Sequence, residues 1–243
     1  LSDEHNHGSI VDGGRLSWAE AGVYRHGDAD HAGALLASAP GRAVVVTDTV
    51  FSMDGDVAPV ADLAERRARH GALLVLDEAH AVLGPDPDLA GADHLRVGTL
   101  SKYLGSLGGF VAGTRAFVDL LVNRARPFIF TTASSPADAG AALAALGVLR
   151  SAEGDGLIAA LRANVDLVKP GHPSPIVPVV VGDEQAAVAA SLALRRRGLL
   201  VPAIRPPTVA AGTSRLRISV SATHTAGQIA ALLTGLAALG YAP

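Results

Sequence analysis

Seven short runs rich in apolar and β-branched residues alternate with stretches of helical pattern, and that alternation limits this chain to a small set of folds. The runs are Ala43 to Thr47, Ala72 to Leu76, Leu95 to Thr99, Gly109 to Ala112, Ile176 to Val181, Leu199 to Ala203 and Leu216 to Val220. Each has the length and composition of a strand. Between them, Pro59 to His70 reads as an amphipathic helix with Glu65, Arg66, Arg67 and Arg69 on its polar face. Pro136 to Leu149 is alanine-rich and apolar all round, the pattern of a buried helix. Strands that alternate with helices imply an α/β fold with a mostly parallel sheet flanked by helices. Around Ser151 to Gly156 the sequence turns polar, and beyond it the order is helix, strand, helix, strand, strand, helix. The expected organisation is a large domain over residues 1–150 and a smaller C-terminal α+β domain over 151–243.

With 243 residues, 49% of them hydrophobic, the chain can bury one large core or one core with a smaller attached domain. The formal charge is −3 with both signs interspersed, which leaves no electrostatic footprint for nucleic acid. There is no cysteine, so disulfides, thiolate nucleophiles and Cys-bound zinc are excluded, and no metal site is expected. The start, L-S-D-E-H-N-H, is unlike a signal peptide, and no apolar run is long enough to span a bilayer. A cytoplasmic protein acting on small molecules is the expectation. The arginine run at 195 to 197 reads as a solvated helix end.

In open α/β sheets, ligands gather beyond the carboxyl ends of the strands. Three such ends carry reactive side chains. One runs into T-V-F-S-M-D-G-D, the next closes with D-E-A-H, and the third closes with T-L-S-K, so that Ser52, Asp77, His80, Thr99 and Lys102 are offered together. Eighteen of the twenty basic residues are arginine, which marks Lys102 as a residue needed for its amine. Pyridoxal phosphate asks for this set: a lysine to condense with its aldehyde, a carboxylate to keep its ring nitrogen protonated, and donors for its phenolate oxygen and phosphate. Asp77 is the candidate carboxylate. Ser52 and His80 are candidate phenolate donors, and Thr99 with the glycines after Lys102 suits the phosphate.

Other readings exist for each element. A strand that ends in D-x-x-H is commonly a capped turn. The lysine does not belong to an S-x-x-K motif, because Thr99 stands three residues before it. D-E-A-H after an apolar strand, with S-A-T at 221 to 223, also has the form of a helicase pair. No G-x-x-x-x-G-K-[ST] loop is present and the charge does not suit a nucleic-acid motor, although a segment upstream of Leu1 could hold such a loop.

The series N-H-G-S-I-V-D-G at 6 to 13, F-S-M-D-G-D at 51 to 56, L-D-E-A-H at 76 to 80, G-T-L-S-K at 98 to 102 and I-R-P-P-T-V-A-A-G-T-S-R-L-R-I at 204 to 218 resembles the α-oxoamine synthases. These are fold-type I pyridoxal-phosphate enzymes that condense an amino acid with an acyl thioester and release carbon dioxide. The resemblance implies Lys102 as the Schiff-base lysine, Asp77 at the pyridinium nitrogen, and Ser52 and His80 on the phenolate side. It places His7 over the ring face, with Lys102, Asp77, His80 and His7 as the catalytic group. It implies Thr99 at the phosphate, with Thr131 or Thr132 reaching the phosphate of a neighbouring subunit. Thr208 becomes a substrate contact, and Arg217 receives the amino-acid carboxylate. The R-P-P-T-V segment is most similar to members that join L-alanine to a pimeloyl thioester in biotin biosynthesis, carried on coenzyme A or a carrier protein. The alternatives are a sister activity, such as glycine with an acetyl thioester, or an inactive remnant serving as an interaction module. A homodimer is implied, without nucleic-acid or membrane partners.

The chain also departs from the family pattern. Asp77 and Lys102 are only 25 residues apart, and A-V-L-G-P-D-P-D at 81 to 88 stands where the family has a glycine-rich loop. The stretch V-D-L-V-K-P-G-H-P-S-P at 165 to 175 is contracted. The family's upstream phosphate loop and acyl-gating residues are not in the sequence, so a truncated chain with weak cofactor retention and uncovered apolar helix surface is expected.

Overall fold

A computed structural model describes residues 1–83, 89 and 94–243. The unusual stretch at 81 to 88 lies outside the described residues from 84 onward. The chain divides into two compact units, Leu1–Phe51 with Val57–Val148, and Ser52–Asp56 with Leu149–Pro243.

The first unit is built on six strands, β1 (Ser2–Asp3), β2 (Val23–Tyr24), β3 (Val44–Asp48), β4 (Leu73–Asp77), β5 (His94–Thr99) and β6 (Gly109–Ala112). They lie in the order β2-β1-β3-β4-β5-β6, all parallel except β6, which runs antiparallel to β5. The helices are α1 (Gly8–Leu16), α2 (Ala29–Ser38), α3 (Val60–Arg69), α4 (Arg115–Arg124), α5 (Arg126–Ile129) and α6 (Pro136–Leu149). Alternating side chains of β3 and β4 bury Val45, Leu74 and Leu76 in a core shared with Tyr24, Ala32, Leu36, Phe51 and Leu63. Burying a leucine of this kind is worth about 2 kcal/mol.

Two expectations for this unit need correction. Arg67 is buried rather than on the polar face of α3. It falls four residues after Leu63 and seven after Val60, on the same helical stripe, and its Nη1 donates to the Ala72 carbonyl at 3.1 Å. Helix α6 is also not buried: Ala142 is its one buried residue, and Leu143 is 72% exposed. A helix that is apolar all round has no preferred inward side, and no described residue covers most of this one. Leu120, Phe128 and Phe130 are exposed as well.

The second unit follows the expected order: α7 (Ala152–Val168), β7 (Ile176–Gly182), α8 (Glu184–Arg195), β8 (Ala203–Ile204), β9 (Ser214–Ser219) and α9 (Ala226–Ala237). Its antiparallel sheet has the order β7-β9-β8. Leu161, Val165, Leu194, Leu216, Ile218 and Leu236 form its interior. Thr225 and Gln228 close a capping box at the start of α9, and Asp183 caps α8 through the Ala186 N–H. The strand expected from Leu199 to Ala203 is nearly absent. The Leu199 N–H returns to the Leu194 carbonyl to finish α8 beyond Gly198, and Pro202 has no N–H to give a ladder. Of this stretch only Ala203, followed by Ile204, forms a strand paired with β9. The arginines at 195 to 197 are exposed at the end of α8, as expected. No described helix is long and apolar enough to cross a membrane.

Candidate active site

Parallel pairing in the first unit brings three strand ends side by side. β3 ends at Asp48, which stands opposite Asp77 at the end of β4, and Asp77 stands opposite Val97 in β5. The Asp77 backbone carbonyl accepts the Thr49 N–H at 2.8 Å and the Thr49 hydroxyl at 3.0 Å, so the end of β4 is held by its neighbour. Its carboxylate Oδ1 accepts the Ala79 N–H at 2.9 Å, which shapes the turn into His80. Among the described residues nothing takes Oδ2. A half-buried carboxylate with an open oxygen suits a ring N–H⁺.

The third strand end supplies the amine. After Thr99 the chain folds into a loop closed by the Leu100 N–H on the Gly108 carbonyl at 2.9 Å and the Ser106 N–H on the Leu100 carbonyl at 2.8 Å. Gly105 and Gly108 take positive φ of 61° and 121°, which this tight return requires. The loop carries Lys102 to His80, with Nζ 2.9 Å from Nε2. The Thr99 hydroxyl lies 2.7 Å from that of Ser101 and 3.2 Å from the Gly108 carbonyl. Asp77, His80, Thr99 and Lys102 therefore come together at one edge of the sheet.

His7 reaches the same edge from the start of the chain. It caps α1, with Nδ1 accepting the Ser9 N–H at 3.3 Å, and its ring is exposed. Its backbone N–H donates to Asp48 Oδ2 at 2.7 Å. Asn6 locks this junction: its Oδ1 accepts the Asp48 N–H at 2.8 Å, and its Nδ2 donates to the Val46 carbonyl at 2.8 Å. Sequence reasoning missed Asn6 and Asp48. The signal was present, because V-V-V-T-D ends in aspartate as L-L-V-L-D does.

Asp48 is only 3% exposed, and burial pushes its carboxyl up from 3.8 to about 7. The His7 N–H opposes that rise, Asp77 adds to it, and Lys102 opposes it. Because the folded value is raised, the contribution to stability is fully present below 3.8 and is lost as pH climbs to about 7. Asp48→Asn keeps an acceptor for the His7 N–H and does not titrate. Between pH 5 and 8 the native chain should therefore lose on the order of 2 kcal/mol more stability than the variant. Urea unfolding at both pH values measures this, and equal losses would contradict it.

The remaining residues are located as follows. Thr131 and Thr132 are exposed between α5 and α6, and neither hydroxyl bonds to the Lys102 group. Ser52, Thr208 and Arg217 belong to the second unit. Thr208 is exposed in a turn where its N–H meets the Arg205 carbonyl at 3.0 Å. Arg217 Nε donates to the Ser52 carbonyl at 2.6 Å, and Nη1 to the Ser219 hydroxyl at 3.3 Å. Burial lowers the pKa of this guanidinium, and no described carboxylate pairs with it.

Known proteins resemble this chain over nearly its whole length. A family model described as aminotransferase class I and II matches residues 1–236. The 8-amino-7-oxononanoate synthase of Anaeromyxobacter dehalogenans strain 2CP-1 is 50% identical over 259 residues, covering 98% of this chain and 65% of that protein. The chain thus spans 65% of the length of that curated relative. A serine palmitoyltransferase from S. paucimobilis, solved with a PLP–myriocin aldimine, matches with a TM-score of 0.91 at 30% identity, over 98% of this chain and 65% of that one. The 8-amino-7-oxononanoate synthase of Francisella tularensis matches with a TM-score of 0.79 at 26% identity, over 98% of this chain and 73% of that one. The fold is that of the fold-type I pyridoxal-phosphate enzymes, and the chain belongs to the aminotransferase class I and II family, in its α-oxoamine synthase branch.

Proposed function

We propose that the protein condenses L-alanine with a pimeloyl thioester, giving 8-amino-7-oxononanoate, carbon dioxide and the free thiol, with pyridoxal phosphate held at Lys102. The observation that carries this reading is the juxtaposition of a primary amine, an imidazole and a carboxylate at the carboxyl edge of the sheet. The choice of substrates rests on the 50% identity to a relative of that name.

Bound there, the cofactor supplies a carbonyl carbon for an amine and a protonated ring that draws electron density from the amino acid's α-carbon. Lys102 Nζ, 2.9 Å from His80 Nε2, is the amine that holds the cofactor, and when released it accepts the α-proton. Asp77 Oδ2 keeps the ring nitrogen protonated. His80 and the Ser52 hydroxyl donate to the phenolate oxygen, and the His7 ring covers one face. The Thr99 hydroxyl holds the phosphate, joined by Thr131 or Thr132 of a second copy in a homodimer. Arg217 takes the amino-acid carboxylate in a bidentate grip, and Thr208 contacts the substrate.

A sister activity on another amino acid is the second reading, favoured by the TM-score of 0.91 to a serine palmitoyltransferase. Steady-state comparison of alanine, glycine and serine against pimeloyl, acetyl and palmitoyl thioesters decides between them. The expected result is a kcat/KM for alanine with the pimeloyl thioester at least about tenfold above every other pair. A preference for glycine or serine would replace the proposed substrates.

A further inference from the structure

Two arginines on β9 are treated differently by the fold. Arg215 and Arg217 are two residues apart in an extended strand, so both project from one face, about 7 Å apart along it. Arg215 is buried and pairs with the Asp54 carboxylate, and its guanidinium also donates to the Thr213 carbonyl at 3.1 Å and the Thr213 hydroxyl at 3.2 Å. Arg217 is half-buried and has the Ser52 carbonyl and the Ser219 hydroxyl as its partners. One charge is neutralised from within, while the other has no carboxylate among the described residues.

The segment that does this is fixed in place. Gly55, beside Asp54, has φ of +69°, and a Cβ there would stand 1.9 Å from the Ile176 carbonyl oxygen. Only glycine lets the backbone lie this close to β7. The Asp54 carboxylate is thereby presented to Arg215, and the Ser52 carbonyl to Arg217 Nε. The pair of contacts orders residues 52–56 along the arginine face of β9.

Resting on the reading of Arg217 as the group that receives the amino-acid carboxylate, we propose that Asp54 is a specificity-determining residue. By neutralising Arg215 it leaves β9 a single open guanidinium, and so selects amino acids with one carboxylate over those with two. Without Asp54, Arg215 offers a second cation on the same face, which an acidic side chain can meet.

The test is a spectroscopic titration of the cofactor-loaded protein with L-alanine and with L-aspartate. The native protein should favour alanine. Asp54→Asn should move the aspartate-to-alanine affinity ratio toward aspartate by about tenfold, and Asp54→Asn with Arg215→Leu should cancel that shift. A purely structural loss weakens both amino acids together and leaves the ratio unchanged, which would overturn the proposal. Arg217→Lys separates the two ideas. If it weakens both ligands while Asp54→Asn leaves the ratio unmoved, the proposal fails and the role of Arg217 stands; if it changes neither affinity, both fall. Should Asp54→Asn not fold, Arg215→Leu supplies the deciding measurement. With no Arg215 charge to balance it, the Asp54 carboxylate should then repel a second carboxylate and lower the aspartate-to-alanine affinity ratio about threefold, and an unchanged ratio would overturn the proposal.

Discussion

Lys102→Arg is expected to abolish covalent cofactor attachment and to lower turnover by about 10⁴-fold or more, with little effect on the fold. The side chain is exposed on the loop between β5 and β6, whose shape is set by backbone bonds from Leu100 and Ser106 and not by the lysine. Arginine keeps the positive charge and can still reach the His80 imidazole. It cannot form a carbon–nitrogen double bond with an aldehyde at neutral pH, because its guanidinium does not release a proton there. The contrast isolates amine chemistry from charge placement. Borohydride reduction of the cofactor-treated protein, followed by peptide mapping, should put the adduct of the native chain on the peptide that contains G-T-L-S-K. The variant should show none. An adduct on Lys169, at the C-terminal end of α7, would move the site elsewhere.

The parts of this fold that sequence reasoning reached are those where one physical signal dominates. β3, β4 and β6 are apolar runs bounded by turn residues, and the structure places them within one or two residues of expectation. From α7 to α9 the elements come in the expected order, and their helices carry clear caps at Ser151, Asp183 and Thr225. Failures came where two signals competed. Leu199 to Ala203 has strand composition, but the Leu199 amide is used to end α8. Arg67 is charged, which favours the polar face, yet its helical position decides, and a long stem allows an arginine to be buried with its head at a carbonyl. β1 and β2, two residues each, are too short to leave a pattern.

For the candidate site, chemistry was more legible than support. Lys102, Asp77, His80 and Thr99 stand out in the sequence because each is unusual at a strand end, and the fold brings these four together. Asn6 and Asp48 were missed because their work is to hold backbone, through the His7 and Asp48 N–H groups and the Val46 carbonyl. Such roles depend on which strands are neighbours, and strand order is not written in a local motif. The Asp54 to Arg215 pair, 161 positions apart in sequence, is invisible for the same reason.

Asp77→Asn is expected to slow exchange of the alanine α-proton by about 10³-fold while shifting stability by less than about 1 kcal/mol. The substitution separates the two duties of this side chain. Oδ1 accepts the Ala79 N–H, and an asparagine carbonyl can do the same, so the turn into His80 is retained. The backbone carbonyl, which takes the Thr49 N–H and hydroxyl, is untouched. What changes is the second oxygen: an amide NH₂ is a donor, and it cannot accept a hydrogen bond from a ring N–H⁺ or neutralise its charge. A ring nitrogen that loses its proton is a poor electron sink, so the barrier to removing the α-proton rises although Lys102 and His80 remain in place. Exchange of alanine in D₂O, followed by proton NMR without any thioester, reads this step alone. Acyl-chain preference, thiol release and decarboxylation do not enter it. A normal exchange rate in a folded, cofactor-loaded Asp77→Asn protein would remove Asp77 from the ring nitrogen, and a slowed rate that Asp77→Glu partly restores would tie the effect to the carboxylate charge.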